Sequence, residues 1–335
     1  MKKILLSFLM CFLLIFTTCS APKTDNPETA PAPSSPEPLE TSQPKPQPEP
    51  KEEFLLSAYL PVNAVDDPGK ISSESLALLD YVILNTGVYW DENGSLLIDD
   101  SLSSLVETLS PQVKIFCTIN PKGSLIRDGK VLSTLDTEEK RQALSRKIAD
   151  FARENHLSGI DIDWEFPAEN EWEVFGQFLL ELDKALGDVS LSLAFYPENI
   201  SLPKTAFSAV DQIHIMAYDL FDEQGFHSTL ETAEKSIQYF TELGFLPQQL
   251  SLGIPAYGRP LDQSAQWLFY RDIDLDAVGE NPNLINDFYF NSPQLAAQKV
   301  ALAKENHLGG AMLYHLLCDK TDENSLILAM SKAKM

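Results

Sequence analysis

Basic side chains are scarce in this 335-residue chain: 25 Lys and Arg stand against 49 Asp and Glu, a formal net charge of −24 at neutral pH. Such a polyanion is repelled by nucleic acid and by anionic polymers, so a neutral partner fits better. Cysteine is also sparse. Of four, Cys11 and Cys19 fall near the N-terminus, which leaves Cys117 and Cys318 far apart in sequence. Two cysteines make no disulfide framework, and both read as buried apolar side chains, with a bridge as the less favoured alternative. Several enzyme signatures are missing: no G-x-S-x-G, H-E-x-x-H, G-x-x-x-x-G-K-[ST] or G-x-G-x-x-G occurs. That removes the motif-level grounds for a serine-elbow hydrolase, a zinc peptidase, a P-loop NTPase or a dinucleotide-binding enzyme. No solenoid-type repeat is evident. The one long apolar run outside the strand-like segments, Ile4 to Phe16, is too short to span a bilayer.

That run has a different reading. Lys2-Lys3, the apolar segment and Thr17-Thr18-Cys19-Ser20-Ala21 form the basic, apolar and small-residue parts of a secretory signal over residues 1–18. Cys19 stands where the lipid-modified cysteine of a bacterial lipoprotein would be. The segment resembles a lipobox, with Phe16 where Leu is usual and Thr18 where Gly or Ala is commoner. An ordinary secretory signal with an incidental cysteine is the alternative. Removing residues 1–18 takes away Lys2 and Lys3, so the mature formal charge is 23 − 49 = −26. Residues 20–53 hold ten prolines among Glu, Ser, Thr, Lys and Gln. That composition buries too little apolar surface to fold and reads, over 19–53, as an extended tether. The expected product is an exported domain of residues 54–335, held to the cell envelope or cell surface through a lipid on Cys19, and monomeric.

Within 54–335, short apolar strands alternate with helical segments. Strands are expected at Phe54–Tyr59, Tyr81–Thr86, Val113–Ile119, around Asp161, and at Ser190–Tyr196, Gln212–Tyr218, Leu250–Tyr257 and Gly310–Tyr314. Helices are expected near Thr137–Asn155, Glu171–Leu186 and Pro293–Asn306, and Asp91-Glu92-Asn93-Gly94 is a turn signal. Eight strands alternating with helices specify the α/β class, and in particular a single (β/α)8 TIM barrel whose chemistry sits at the C-terminal ends of the strands.

The segment Ser158-Gly159-Ile160-Asp161-Ile162-Asp163-Trp164-Glu165-Phe166-Pro167 stands out. In a strand, alternate side chains share a face, which groups Asp161, Asp163 and Glu165 together and leaves Ile162 and Trp164 opposite. Three acids on one face are costly to bury unless they do chemistry, and like-charge repulsion with partial burial is a way to make one of them keep its proton. Glu165, closing the strand, is the expected proton carrier. Trp164 reads as packing beneath the helices. A divalent metal on Asp161-x-Asp163 is the competing use of the acids. Asp272-Ile273-Asp274-Leu275-Asp276 repeats the alternation without strand context and reads as a solvated loop. His214 reads as a hydrogen-bonded barrel histidine.

The acidic segment resembles the D-G-x-D-x-D-x-E signature of glycoside hydrolase family 18, the chitinases and their relatives. Ile215-Met216-Ala217-Tyr218-Asp219 resembles the family's M-x-Y-D, Leu252-Gly253-Ile254-Pro255-Ala256-Tyr257-Gly258-Arg259 its G-x-P-x-Y-G-R, and Gly309-Gly310-Ala311-Met312-Leu313-Tyr314 its G-G-x-M-x-W. The resemblance implies retaining hydrolysis of β-1,4 linkages beside N-acetylglucosamine, in which the substrate's own acetamide is the nucleophile and no cofactor or metal takes part. Residue by residue, it implies Glu165 as acid and base, with Asp163 orienting the acetamide and Asp161 able to share a proton with it. Tyr218 would donate to the acetamide carbonyl. Met216 is a pocket wall or simply barrel filling. Asp219 and Arg259 are sugar contacts or partners of each other. Tyr314 would stack on a sugar; Tyr59, Trp90, Tyr196 and Tyr257 would stack or pack.

Three departures matter. Ser158 replaces the first Asp, beneath the acids, and Tyr314 replaces a Trp that usually floors the sugar subsite. About 50 residues separate the last two motifs, too few for the extra domain that walls the cleft in many relatives. Chitin or chito-oligosaccharide is the leading substrate; an N-glycan endo-β-N-acetylglucosaminidase and a peptidoglycan hydrolase are alternatives, and a catalytically silent sugar-binding lipoprotein is the non-enzyme one.

Overall fold

The computed structural model describes residues 53–66, 71–122, 132–165 and 167–335. The signal over 1–18, Cys19, all of the tether but Glu53, and Phe166 lie outside the described residues. Strands β1 (Leu55–Pro61), β2 (Tyr81–Trp90), β3 (Leu96–Ile98), β4 (Lys114–Pro121), β5 (Gly159–Ile162), β6 (Ser190–Phe195), β7 (Gln212–Ile215) and β8 (Leu250–Pro255) are followed by four short ones and then β13 (Gly310–Tyr314). The short strands are β9 (Tyr257–Pro260), β10 (Leu268–Phe269), β11 (Leu284–Ile285) and β12 (Phe288–Tyr289). Helices α1 (Ser73–Leu76), α2 (Leu102–Leu109), α3 (Leu132–Leu135), α4 (Glu138–Glu154), α5 (Trp172–Leu186), α6 (Leu230–Leu243), α7 (Pro293–Glu305) and α8 (Leu326–Lys334) complete the elements.

The main sheet runs β1-β13-β8-β7-β6-β5-β4-β2-β3, and a β1–β2 pairing closes it. All eight barrel strands pair in parallel; β3 alone lies antiparallel, folded back on β2. This is the expected (β/α)8 barrel. Between β8 and β13 the chain forms a small antiparallel sheet, β10-β9-β12-β11, in place of an insertion domain.

Alternation along the strands builds two separate cores. Outward-facing Ile160 and Ile162, with Trp164 just past the strand, pack into a large apolar layer beneath the helices. There the Trp164 ring meets Phe175 of α5 at 5.0 Å. Inward-facing Tyr59, Tyr81, Ile83, Phe116, Ala194, Met216, Tyr218, Tyr257 and Met312 form a second cluster. An interior this rich in phenols departs from the branched aliphatic filling usual for such barrels. Cys117 and Cys318 are buried and unbridged, as expected.

The helices start where their sequences say. Thr137 caps α4 by accepting from the Lys140 amide, and Glu138 and Glu139 sit in its first turn, where the helix dipole favours acids. Thr229 and Ser292 cap α6 and α7 in the same way, and Pro293 opens α7. Arg141 of α4 is buried against Glu181 of α5 at 3.0 Å, joining two helices that shield the acidic strand.

Strand ends differ from expectation in both directions: β1, β2 and β4 run two to four residues further than expected, whereas three others stop short. β5 stops at Ile162, β7 at Ile215 and β8 at Pro255, two or three residues before the reactive side chains expected to close them. β5 pairs with β6 as far as Ile162 and Leu193, and β7 with β8 as far as Ile215 and Leu252. Beyond these points the chain diverges into loops, so Asp163, Glu165, Tyr218 and Asp219 sit on the rim above the ladder.

Candidate active site

The rim holds a cavity of about 140 Å³ lined by Tyr59, Asp163, Glu165, Ala194, Tyr196, Met216, Tyr218, Asp219, Tyr257, Trp267 and Tyr314. A second depression of about 280 Å³ adjoins it, sharing Glu165 and Tyr196 and continuing to Pro167, Trp172 and Glu198. Glu165 thus stands between two compartments. A larger cavity, about 720 Å³, lies at the opposite end among Asp80, Tyr81, Ser158, Asp211 and Gln212. Two of its acids are structural. Asp80 accepts from the Leu56 amide at 2.7 Å and pairs with Lys334, while Asp211 accepts from the Leu191 amide. Ser158 belongs to this floor, away from the reactive acids.

The three acids occupy different depths. Asp161 is fully buried, accepting from Ser192 Oγ at 2.6 Å, Tyr59 Oη at 2.9 Å and Thr118 Oγ1 at 3.0 Å. These hydroxyls engage both its oxygens, and the structure shows no bond for the expected proton shared with Asp163. Among the described residues no hydrogen bond joins the two acids, consistent with a two-residue strand step of about 6.6 Å. The same saturation speaks against a divalent metal on the pair. Asp163 is partly buried and faces Asn120, whose Oδ1 accepts from the Asp163 amide at 3.0 Å. Burial first, then Glu165 and Asp161, raise the Asp163 pKa well above the usual carboxylate range. One of its oxygens, Oδ1, is buried without a protein partner among the described residues. Glu165 is half-buried, and its pKa is raised by burial first and then by Asp219. Loss of solvent and Asp219, an acid from the next loop but one, thus help to hold its proton, alongside the mutual repulsion between Glu165 and Asp163.

Tyr218 is buried at 3 % exposure, and burial raises its pKa well above that of a free phenol, so it stays a proton donor. Gly253 makes its position possible: a Cβ there would meet the Ile215 carbonyl at 2.3 Å and the Tyr218 ring at 2.9 Å. Met216 lines the same cavity. Asp219, in the left-handed region at φ 57°, is held by Arg259 and by Tyr257 Oη at 2.8 Å. Arg259 and Asp219 are thus partners. Buried His227 lies 3.8 Å from Asp219, but burial, then Lys299 and Arg259, push its pKa down to about 3 and keep it neutral.

Of the sequence-derived candidates, Glu165, Asp163, Tyr218, Met216, Asp219, Tyr257, Tyr314 and Tyr59 come together around one cavity. Tyr59 lines it with its hydroxyl committed to Asp161. Arg259 acts on the cavity through Asp219, and Asp161 lies beneath Asp163. Trp90 does not belong here: it is buried, bonded to Thr134 and packed on Phe178. Expected to be hydrogen-bonded, His214 instead has neither ring nitrogen paired among the described residues; burial pushes its pKa down to about 4. It stays neutral among aromatic rings, Tyr59 at 5.7 Å and Tyr81 at 6.1 Å. The exposed Asp272, Asp274 and Asp276 lie on turns, as expected of a solvated segment.

Sequence reasoning passed over four supports. Thr118 and Asn120 face Asp161 and Asp163 from β4, and their alternate spacing was the available signal. Lys299 is fully buried, donating to Ser228 O, Ser228 Oγ and Asn291 Oδ1 at 2.6–2.7 Å; Ser228 Oγ in turn donates to the Ala217 carbonyl beside Tyr218. Nothing local in the sequence marks Lys299. Trp267, on the cavity wall, lay in a segment without a motif.

A pH effect follows from Asp219. A carboxyl that serves as general acid must be protonated, and in that role the raised pKa of Glu165 would carry activity to higher pH, with loss as pH rises through it. Asp219→Asn removes a negative charge that opposes Glu165 ionisation, so its pKa falls. The alkaline limb of kcat/KM should move to lower pH, as measured in a pH–rate series.

The sequence profile of glycosyl hydrolases family 18 matches residues 53–319. Secreted chitinase LysM12 of Penicillium expansum is 26% identical over 172 residues, 42% of this chain and 11% of its own. The chain spans from 11% to 58% of the length of the curated relatives it matches. Among solved structures, the chitinase ChiB of Flavobacterium johnsoniae superposes with a TM-score of 0.73 at 22% identity, covering 85% of this chain and 94% of that one. Human YKL-39, described as a pseudo-chitinase with retained chitooligosaccharide binding, superposes at 0.69 with 19% identity, covering 84% and 99%. These two share the fold. With four motifs at the fourth, sixth, seventh and eighth barrel strands and a profile match from the start of the barrel to Asp319, the chain belongs to glycosyl hydrolases family 18.

Proposed function

We propose that this protein hydrolyses β-1,4 linkages beside N-acetylglucosamine in chitin or chito-oligosaccharides, with Glu165 as general acid and base. The observation that carries the proposal is the setting of Glu165. It is a half-buried carboxyl with a raised pKa, between two adjoining compartments, one of which also holds Asp163 and Tyr218. A sugar in the compartment with Asp163 would present its linkage oxygen to Glu165, with the leaving saccharide in the adjoining one. Glu165 gives its proton to that oxygen as the C–O bond breaks. The acetamide carbonyl oxygen bonds to the anomeric carbon, with Tyr218 donating to that carbonyl and Asp163 taking the acetamide N–H and facing the positive charge of the oxazolinium. Water then opens this intermediate, giving a proton back to Glu165.

The strongly acidic surface weighs against anionic wall polymers as substrate. Mass spectrometry of products from chitin oligomers, N-glycans and a cell-wall preparation tests the substrate class. Release of N-acetylglucosamine oligomers from the first alone is expected, and cleavage confined to either of the others would contradict it. Export and anchoring through Cys19 belong to the same proposal. Cys19→Ser should release the protein from membranes, and retention of that variant would refute the anchor.

A further inference from the structure

We propose that Trp267 is the principal sugar-stacking platform of this site, a role carried by the small sheet between β8 and β13 rather than by the eighth barrel strand. The proposal rests on reading the cavity as a saccharide site. Of the four tryptophans, Trp90, Trp164 and Trp172 are 1 %, 1 % and 5 % exposed, whereas Trp267 keeps 39 % of its surface. That exposure is directional. One face of Trp267 lies flat on Tyr257, with ring centroids 3.8 Å apart and planes at 4°, so the exposed surface belongs to the opposite face and the ring edges. Trp267 borders the cavity that also holds Asp163 and Glu165. The stack is anchored from below, because the Tyr257 hydroxyl donates to Asp219.

Tyr314, standing where the sequence motif has Trp, is placed differently. Its ring stacks on Tyr218 (5.5 Å, 26°), tilts against Tyr59 (5.6 Å) and meets Trp267 at right angles (6.2 Å, 80°). A ring covered by other rings offers a sugar chiefly its edge and hydroxyl. A ring with a free face offers the flat, electron-rich surface on which the C–H groups of a pyranose pack. The indole absent at position 314 is thus matched by one arriving beside the Tyr257 end of β9: Leu268 and Phe269, which follow Trp267, pair antiparallel with Gly258 and Tyr257. Tyr314 becomes the adjoining wall.

Stacking of this kind is made alike in the bound substrate and the transition state, so its loss appears in KM more than in kcat. In steady-state kinetics on a chito-oligosaccharide, Trp267→Ala should raise KM at least about tenfold with kcat reduced less than about threefold, and Trp267→Phe should fall between. Indole fluorescence gives a second readout in a Trp172→Phe background, because Trp172 borders the adjoining depression whereas Trp90 and Trp164 are buried in the outer core. With Glu165→Gln also present the oligosaccharide should change the emission, and adding Trp267→Phe should abolish the change. A Trp267→Ala KM within about twofold of wild type, or a fluorescence change that survives Trp267→Phe, would overturn the platform while leaving the saccharide reading intact. A wild-type protein that neither cleaves nor binds any such oligomer would overturn both.

Discussion

Glu165→Gln should lower kcat on a chito-oligosaccharide at least about a thousandfold while leaving the dissociation constant within about threefold of wild type. The glutamine keeps the shape and polarity of the side chain and removes the transferable proton. Among the described residues Glu165 accepts no hydrogen bond on which the fold depends, and its half-buried position at the rim leaves the barrel ladder untouched. Relative to a carboxyl group it is also the cheaper group to bury, since the amide carries no charge to desolvate. Stability should therefore hold or rise slightly, which separates a catalytic loss from an unfolding loss in a thermal melt. Retention of a tenth or more of wild-type turnover would remove Glu165 from the role assigned to it.

Asp163→Asn should cost about a hundredfold in kcat, on the order of 3 kcal/mol of transition-state stabilisation. Asp163 is positioned by Asn120 through its own backbone amide, so the substitution leaves the loop in place. What changes is the capacity to ionise opposite the anomeric carbon: the pKa of Asp163, raised by burial, falls as positive charge grows beside it. Asp163 Oδ1 is buried with no protein partner among the described residues, a cost of order 1–3 kcal/mol that a structural residue would not sustain. The account assigns that oxygen to the acetamide N–H of the substrate. An asparagine can still reach the acetamide but cannot oppose a growing positive charge, so the loss should fall on kcat more than on binding. Equal losses in both would mean that Asp163 merely shapes the pocket.

Much of this was legible in the chain. The alternation at Ile160–Glu165 specified which side chains turn inward, and the structure places Asp161 and Asp163 in and Ile162 and Trp164 out because strand geometry leaves no third choice. The eight strands were each marked by a short apolar run. Strand ends were not legible: the motif residues look like strand in composition, yet pairing fails where the neighbouring chains diverge. The origin of Glu165's raised pKa was also hidden, since Asp219 is 54 positions away in sequence and reaches it only through barrel closure. His214 is the sharpest case. A buried histidine suggests a hydrogen bond, and here its ring is enclosed by Tyr59 and Tyr81, both of whose hydroxyls are directed elsewhere, to Asp161 and Gln212. Trp267 and Lys299 carried no local pattern at all, because their importance comes from what the fold brings beside them.

The central claim is that the substrate's acetamide attacks the anomeric carbon while Glu165 supplies the proton. Two inversions at one carbon leave its configuration unchanged, so proton NMR of the first product formed from a chito-oligosaccharide, read before mutarotation, tests it most directly. The account predicts the β-anomer as the initial product; initial appearance of the α-anomer would contradict it.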